Sequence, residues 1–364
     1  MPINLLPSLH VYEDLLRIQA LKRKNPNWFY FARARDGLFS ILRSLNFLNR
    51  QVVLIPTSLC EEAIKPYLSV GLQPVAYKID NELNIDYDDL LYCLESYDVA
   101  ILHCVEYYGW HQDFSQIFNE IDQRNILLVH DKAHCMFDPD DVEIIPVNKW
   151  VKLYSVRKFF PLPDGAILLT NQCNVSTKWK IPNIMSIRNL LSLFIRSVDI
   201  NNYSSCKELS NLLLNEKTMV INENEISLEC DRGMSFISNI IFSRINFLKA
   251  KQQRQKNARR LMLSVNKSSW ATPFFSNITD MDTPYQFPIK VKNINIAVKH
   301  FCQHDIKFEQ SINLPLNSAM EFRNDCSVGD NIKRLNQQVV SLPVHHYLTE
   351  TDLQVICTAI EMDL

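Results

Sequence analysis

Ile126-Leu127-Leu128-Val129-His130-Asp131-Lys132-Ala133-His134 is the stretch whose reading decides the fold. Its opening apolar run matches a strand buried on both faces, the pattern of a parallel sheet. Asp131 then falls at the strand's carboxyl end, where open α/β sheets bind their ligands. Downstream, Trp150-Val151-Lys152-Leu153-Tyr154 reads as a second strand. It delivers Ser155-Val156-Arg157-Lys158 before Pro161, Pro163 and Gly165 break the chain.

Two strand ends therefore present a carboxylate, a hydroxyl and an amine. Pyridoxal phosphate (PLP) chemistry needs that set: a lysine forms the Schiff base, and an acid keeps the pyridine nitrogen protonated so that the ring draws electrons. A rival reading takes His130 and His134 of H-D-x-x-H as metal ligands. It needs the pair on one helix face, whereas this pentapeptide follows a strand directly.

Working outward, strands and helices alternate. Gln51 to Pro56 reads as a strand, a helix runs from Cys60 through Leu68, and Pro74 to Asp80 is the next strand. Asp86 to Leu94 is a helix and Val99 to Val105 a strand, with a further helix over Phe114, Ile117 and Ile121. Such alternation predicts a mostly parallel sheet in an α/β chain. Ahead of it, Leu38, Phe39, Ile41, Leu42 and Leu45 place a helix starting near Arg35 or Asp36, with Asp36 as its cap. The amino terminus of that helix suits a phosphate, with Arg35 as an added cation. Cys60 opens the helix after the strand from Gln51 to Pro56, and Glu106 is expected in a solvated loop.

These residues also carry a resemblance. Asp131-Lys132-Ala133-His134, Ser155-Val156-Arg157-Lys158 and Gly165-Ala166 resemble the D-x-A-[QH] and S-x-x-K elements of PLP fold type I enzymes, above all the DegT-like aminotransferases of nucleotide-linked sugars. The likeness is good over roughly residues 28 to 170 and returns weakly near the C-terminus. It implies an aspartate-aminotransferase-like fold, with a large PLP-binding domain over residues 1–245 and a smaller C-terminal α+β domain over 246–364.

The same resemblance implies Lys158 as the catalytic lysine, moving a proton between the amino acid Cα and the cofactor's C4′. Asp131 would pair with the pyridinium, His134 would sit near the ring's phenolic oxygen, and Ser155 would donate to the phosphate. Cys60 takes the place of an aromatic that stacks on the ring. The partners so implied are small molecules, glutamate as amino donor and a keto sugar on a nucleotide as acceptor, in a homodimer.

The sequence departs from the family at Ala34-Arg35-Asp36, at Cys60, at Glu106, where a histidine is usual, and at Asp231-Arg232-Gly233-Met234, where an N-Y-R element is missing. Two alternatives follow: a catalytically impaired binding or scaffold dimer, or a sugar dehydratase, against which Lys158 counts because such enzymes commonly carry histidine there.

Past residue 174 the pattern is looser. Asn189 to Ile195 reads as an amphipathic helix, Asn201 to Ser205 as a loop, Glu216 to Glu225 as an acidic loop, and Met234 to Met262 as one long helix with a basic, Asn-bearing segment at Arg254 to Asn257. Phe287 to Val291 and Ile306 to Gln310 are expected strands, Ile296 to His304 and Leu353 to Met362 helices, and His345 or His346 a border of the site.

Composition narrows the classes. With 364 residues, 47% hydrophobic and 21% charged, the chain buries a sizeable core, and a net charge of −2 gives no reason to expect nucleic acid. Its ten cysteines are scattered without a C-x-x-C pair, which reads as free thiols in a reducing compartment. No uncharged apolar run approaches the roughly 18 residues of a membrane span. A cytosolic protein is expected.

Overall fold

The computed structural model describes residues 3, 28–45, 50–139, 145–172, 228, 232–310 and 330–364. The helix expected at Asn189 to Ile195, the two loops after it, and Asp231 lie outside these residues.

The larger sheet contains β1 (Trp28–Phe31), β2 (Val52–Pro56), β3 (Gln73–Tyr77), β4 (Val99–Val105), β5 (Leu127–Asp131), β6 (Trp150–Tyr154) and β7 (Ala166–Thr170). Their order across it is β1-β7-β6-β5-β4-β2-β3. The pairings from β3 to β6 are parallel, and β7 is antiparallel to both of its neighbours. All five residues of β2, β5, β6 and β7 are buried, which explains why these strands read as continuous runs rather than alternations. The mostly parallel α/β sheet is as expected.

Between the strands run α1 (Ala34–Ser44), α2 (Glu61–Ser69), α3 (Tyr87–Ser96) and the short α4 (Phe118–Gln123). Asp86 caps α3 by accepting from the Asp89 amide at 3.1 Å. The helix expected over Phe114 to Ile121 is a 3-10 turn at Ser115–Ile117 followed by α4.

Two corrections concern the later chain. The single long helix expected from Met234 is two, α5 (Phe236–Phe242) and α6 (Phe247–Val265). Ser235 caps the first and Asn246 the second, so the cap chemistry interrupts a pattern that periodicity alone would continue. Ile306 to Gln310 is not a strand: Ile306 and Glu309 form isolated bridges to Ile3 and Ser341. The second sheet has β8 (Ala271–Pro273), β9 (Phe287–Val291) and β10 (Val339–Leu342), all antiparallel, backed by α7 (Ile294–Gln303), α8 (Asp330–Asn336) and α9 (Glu350–Glu361).

The turn Tyr107–Gly109 after β4 joins the two sheets. Thr283 donates its amide to the Gly109 carbonyl at 2.8 Å, and Tyr285 donates to that of Tyr108 at 2.7 Å. This contact carries the segment 283–286 over the carboxyl ends of β4, β5 and β6.

Candidate active site

Beneath that segment lies a cavity of about 350 Å³. Register explains its floor: β5 and β6 pair Asp131 with Leu153, so the residues just past Leu153 emerge beside the end of β5. Asp131, Ser155 and Lys158 all line the cavity, with Cys60 and His134. The sequence places these five in one site, and the structure brings them together.

Asp131 is 6% exposed. Burial works against its charge, yet the hydrogen bond and field of His103, the Ala133 amide and the nearby Lys158 prevail and hold the carboxyl below its ordinary value. His103, fully buried on β4, approaches Asp131 Oδ2 with Nε2 at 3.3 Å and Tyr67 Oη with Nδ1 at 2.6 Å. Burial keeps the Tyr67 phenol protonated, so it shares a hydrogen bond with Nδ1, and the Asp131 carboxylate, an acceptor only, takes the proton of His103 Nε2. His103 thereby fixes the carboxylate, whose other oxygen accepts from the Ala133 amide at 2.8 Å.

Lys158 ends a 3-10 turn, Val156–Lys158, that begins at Ser155. Burial lowers its pKa from the ordinary lysine value, Asp131, Cys60 and Glu309 oppose the shift, and Arg157 adds to it. Its Nζ lies 5.5 Å from the centre of the Tyr285 ring, and that ring stacks on His134 at 5.0 Å and 17°. Burial, with Lys158 beside it, pushes His134 down to about 3, so its imidazole is neutral. Burial also raises the Cys60 thiol, which stays protonated.

The helix beside the cavity starts at Ala34, with Arg33 and not Asp36 in the cap position. Arg33, Ala34 and Arg35 line the cavity; Asp36 lies in the first turn, buried, and is not among the lining residues. An acid one turn into the helix still favours its dipole. The Arg35 guanidinium pairs with Glu62, which also holds Lys65. What this corner offers an anion is therefore mainly the amides of the first turn of α1 and the Ser155 hydroxyl.

Glu106 is the clearest departure from expectation. It is 2% exposed and does not border the cavity. His130 Nε2 at 2.8 Å, Lys132 Nζ at 3.0 Å, His111 Nδ1 at 3.5 Å and Cys135 Sγ at 3.1 Å surround its carboxylate. His130 serves Glu106, while His134 accepts from the Tyr108 amide at 3.4 Å and stacks on Tyr285, so the two imidazoles of H-D-x-x-H have different partners. His345 and His346 do not line the cavity either: the His345 carbonyl accepts from Asn257, and His346 Nδ1 accepts from Arg254.

Sequence reasoning passed over His103, Tyr67, Tyr285, Gln286 and Glu309. A signal existed for His103, a polar residue inside the apolar run of β4, because such a group must find a partner. Tyr285, Gln286 and Glu309 come from the far part of the chain and carried no local signal.

No family model matches the sequence, and no curated protein does. Solved structures do. A DegT/DnrJ/EryC1/StrS aminotransferase from Brucella abortus is 15% identical, matches over 92% of this chain and 84% of its own, and superposes with a TM-score of 0.67. A sugar aminotransferase from Micromonospora echinospora is 15% identical over 99% of each chain, with a TM-score of 0.65. A Streptococcus pneumoniae structure described as the PLP form of a sugar aminotransferase is 15% identical, covers 99% of this chain and 98% of its own, and has a TM-score of 0.67. The chain thus has the fold of the PLP-type aminotransferases. Among such folds its architecture matches that of the solved DegT-like sugar aminotransferases.

Proposed function

We propose that this protein is a PLP-dependent aminotransferase that moves an amino group, from glutamate, to a nucleotide-linked keto sugar. The observation that carries the reading is the convergence of Lys158, Asp131 and Ser155 on one cavity, with Asp131 held ionised. That donor set fits PLP: an amine for its aldehyde, a carboxylate for its ring nitrogen, and a hydroxyl with helix-terminal amides for its phosphate. When bound, the cofactor supplies an electron sink for the bonds at the substrate's Cα.

The chain's own groups do the rest. Lys158 would hold the cofactor's aldehyde carbon and would serve as the base that carries the proton from the donor's Cα; the desolvation that lowers its pKa favours the neutral amine this needs. Asp131 would keep a proton on the cofactor's ring nitrogen, and His103, itself oriented by Tyr67, keeps Asp131 in place. Arg157, an exposed lining cation, meets the donor's carboxylate. The His134–Tyr285 stack walls off one side of the amine from water. The sugar acceptor and the glutamate donor rest on the likeness to sugar aminotransferases; a homodimer, a cytoplasmic location and a division near residue 245 belong to the same proposal.

The test is the visible spectrum of the purified protein with PLP, before and after borohydride, repeated for Lys158→Ala. A visible band that borohydride removes, that K158A lacks and that glutamate bleaches is expected. A wild-type protein without such a band would overturn the enzyme reading in favour of a binding or scaffold dimer.

A further inference from the structure

Arg254, on α6, is the largest fully buried side chain of the described residues, and its hydrogen-bond partners given by the structure include no carboxylate. Its Nη1 donates to the carbonyls of Pro284 at 2.9 Å and Tyr285 at 3.2 Å. From Nη2 a hydrogen bond of 3.3 Å reaches the Phe159 carbonyl, and Nε lies 3.3 Å from His346 Nδ1. The guanidinium also lies 4.7 Å from the centre of the Phe159 ring.

Three segments meet on this one side chain. Phe159 directly follows Lys158, and Tyr285 is the ring beside the Lys158 amine; their two rings lie 5.6 Å apart. The third segment, at His346, follows β10 of the second sheet. Arg254 thus holds, from behind, both walls that frame the lysine. A planar fork with donors in fixed directions can do this, and a lysine at the same place cannot.

We propose that Arg254 is a positioning residue that locks the Tyr285 segment against the Phe159 turn and so sets the desolvation, and with it the reactivity, of Lys158. The groups facing the Lys158 amine are Asp131 from β5, His134 just past that strand, Cys60 at the start of α2, Arg157 from its own turn, and Glu309 and Tyr285 from the second-sheet side. Arg254 is not one of the main charges acting on that amine, so its influence runs through the packing of the wall. The inference rests on the proposed role of Lys158 for its importance to catalysis, but not for its test.

That test uses cofactor-free protein. The pH dependence of Lys158 labelling by a small amine-reactive reagent, read by mass spectrometry, is measured for wild type, Arg254→Lys and Arg254→Met, with melting temperatures alongside. Both variants are expected to move the labelling midpoint to higher pH by about one unit, because water reaches the amine once the wall loosens. R254K keeps the charge and loses the fork, so an R254K profile that matches wild type while R254M shifts would assign the effect to charge and overturn the positioning role. Unchanged profiles in both would overturn it as well. Should neither variant fold, Phe159→Leu removes the ring under the guanidinium and keeps its carbonyl; a smaller shift in the same direction is expected, and none would reject the proposal. Failure of wild type to bind PLP would refute the enzyme reading and leave this result standing.

Discussion

At the residue scale, the buried group around Glu106 shows how one interior carboxylate gathers its surroundings. The carboxylate lies among Lys132, His130, His111 and Cys135, and Lys132 is paired with it in the interior. Burial alone would raise the Glu106 pKa, but Lys132 and the two histidines more than offset this and hold it well below the ordinary 4.5. A depressed acid contributes stability that is complete above its unfolded pKa and is lost as pH falls through the folded one. Glu106→Gln should therefore cost about 3–5 kcal/mol near neutral pH, since it strands the Lys132 ammonium. Urea titrations across pH should show that cost shrinking below pH 4.5, where the wild type begins to lose the same contribution. A pH-independent difference would mean that packing, not charge, is at stake.

At the scale of elements, the turn after β4 bears more than its three residues suggest. Tyr108 and Gly109 both have positive φ, of 56° and 85°. A Cβ on Gly109 would stand 2.2 Å from the Thr283 carbonyl oxygen and 2.6 Å from that of His134. Both contacts are backbone, and both lie where the two sheets meet above the cavity. Gly71 also has positive φ, at 80°, but a Cβ there meets nothing within 4 Å. Gly71→Ala should cost only the backbone strain, about 1 kcal/mol. Gly109→Ala should cost more than about 3 kcal/mol and enlarge the cavity mouth, seen as a lower denaturant midpoint together with weaker PLP binding. Equal midpoints for the two variants would contradict this account.

For the whole molecule, the cavity is where distant parts of the chain agree. Residues from α1, α2, β4, β5 and β6 meet Tyr285, Gln286 and Glu309 there, and Gln286 Nε2 holds Glu309 Oε2 at 2.7 Å. A ligand seated there stabilises the folded state by mass action, about 2.7 kcal/mol at a hundredfold excess over Kd. PLP should accordingly raise the melting temperature in a concentration-dependent way, and Asp131→Asn, which keeps shape and loses charge, should reduce that rise. A rise equal in D131N and wild type would place PLP elsewhere.

How much of this was legible in the chain differs from part to part. The parallel sheet, the strand end at Asp131 and the arrival of Ser155 and Lys158 could all be read from apolar runs and breakers, because β strands buried on both faces leave a continuous local pattern. The sequence by itself, through this pattern and the family resemblance together, determined six residues that line the cavity, Lys158, Asp131, Ser155, His134, Cys60 and Arg35. Only the tertiary structure decided their neighbours. His103 meets Asp131 across 28 positions, Glu106 is buried by partners on another strand, and Arg254 reaches Phe159 across 95 positions. Hydrogen bonds of such separation leave no period in the sequence, since what satisfies a buried polar group is fixed by which strands and segments pack together.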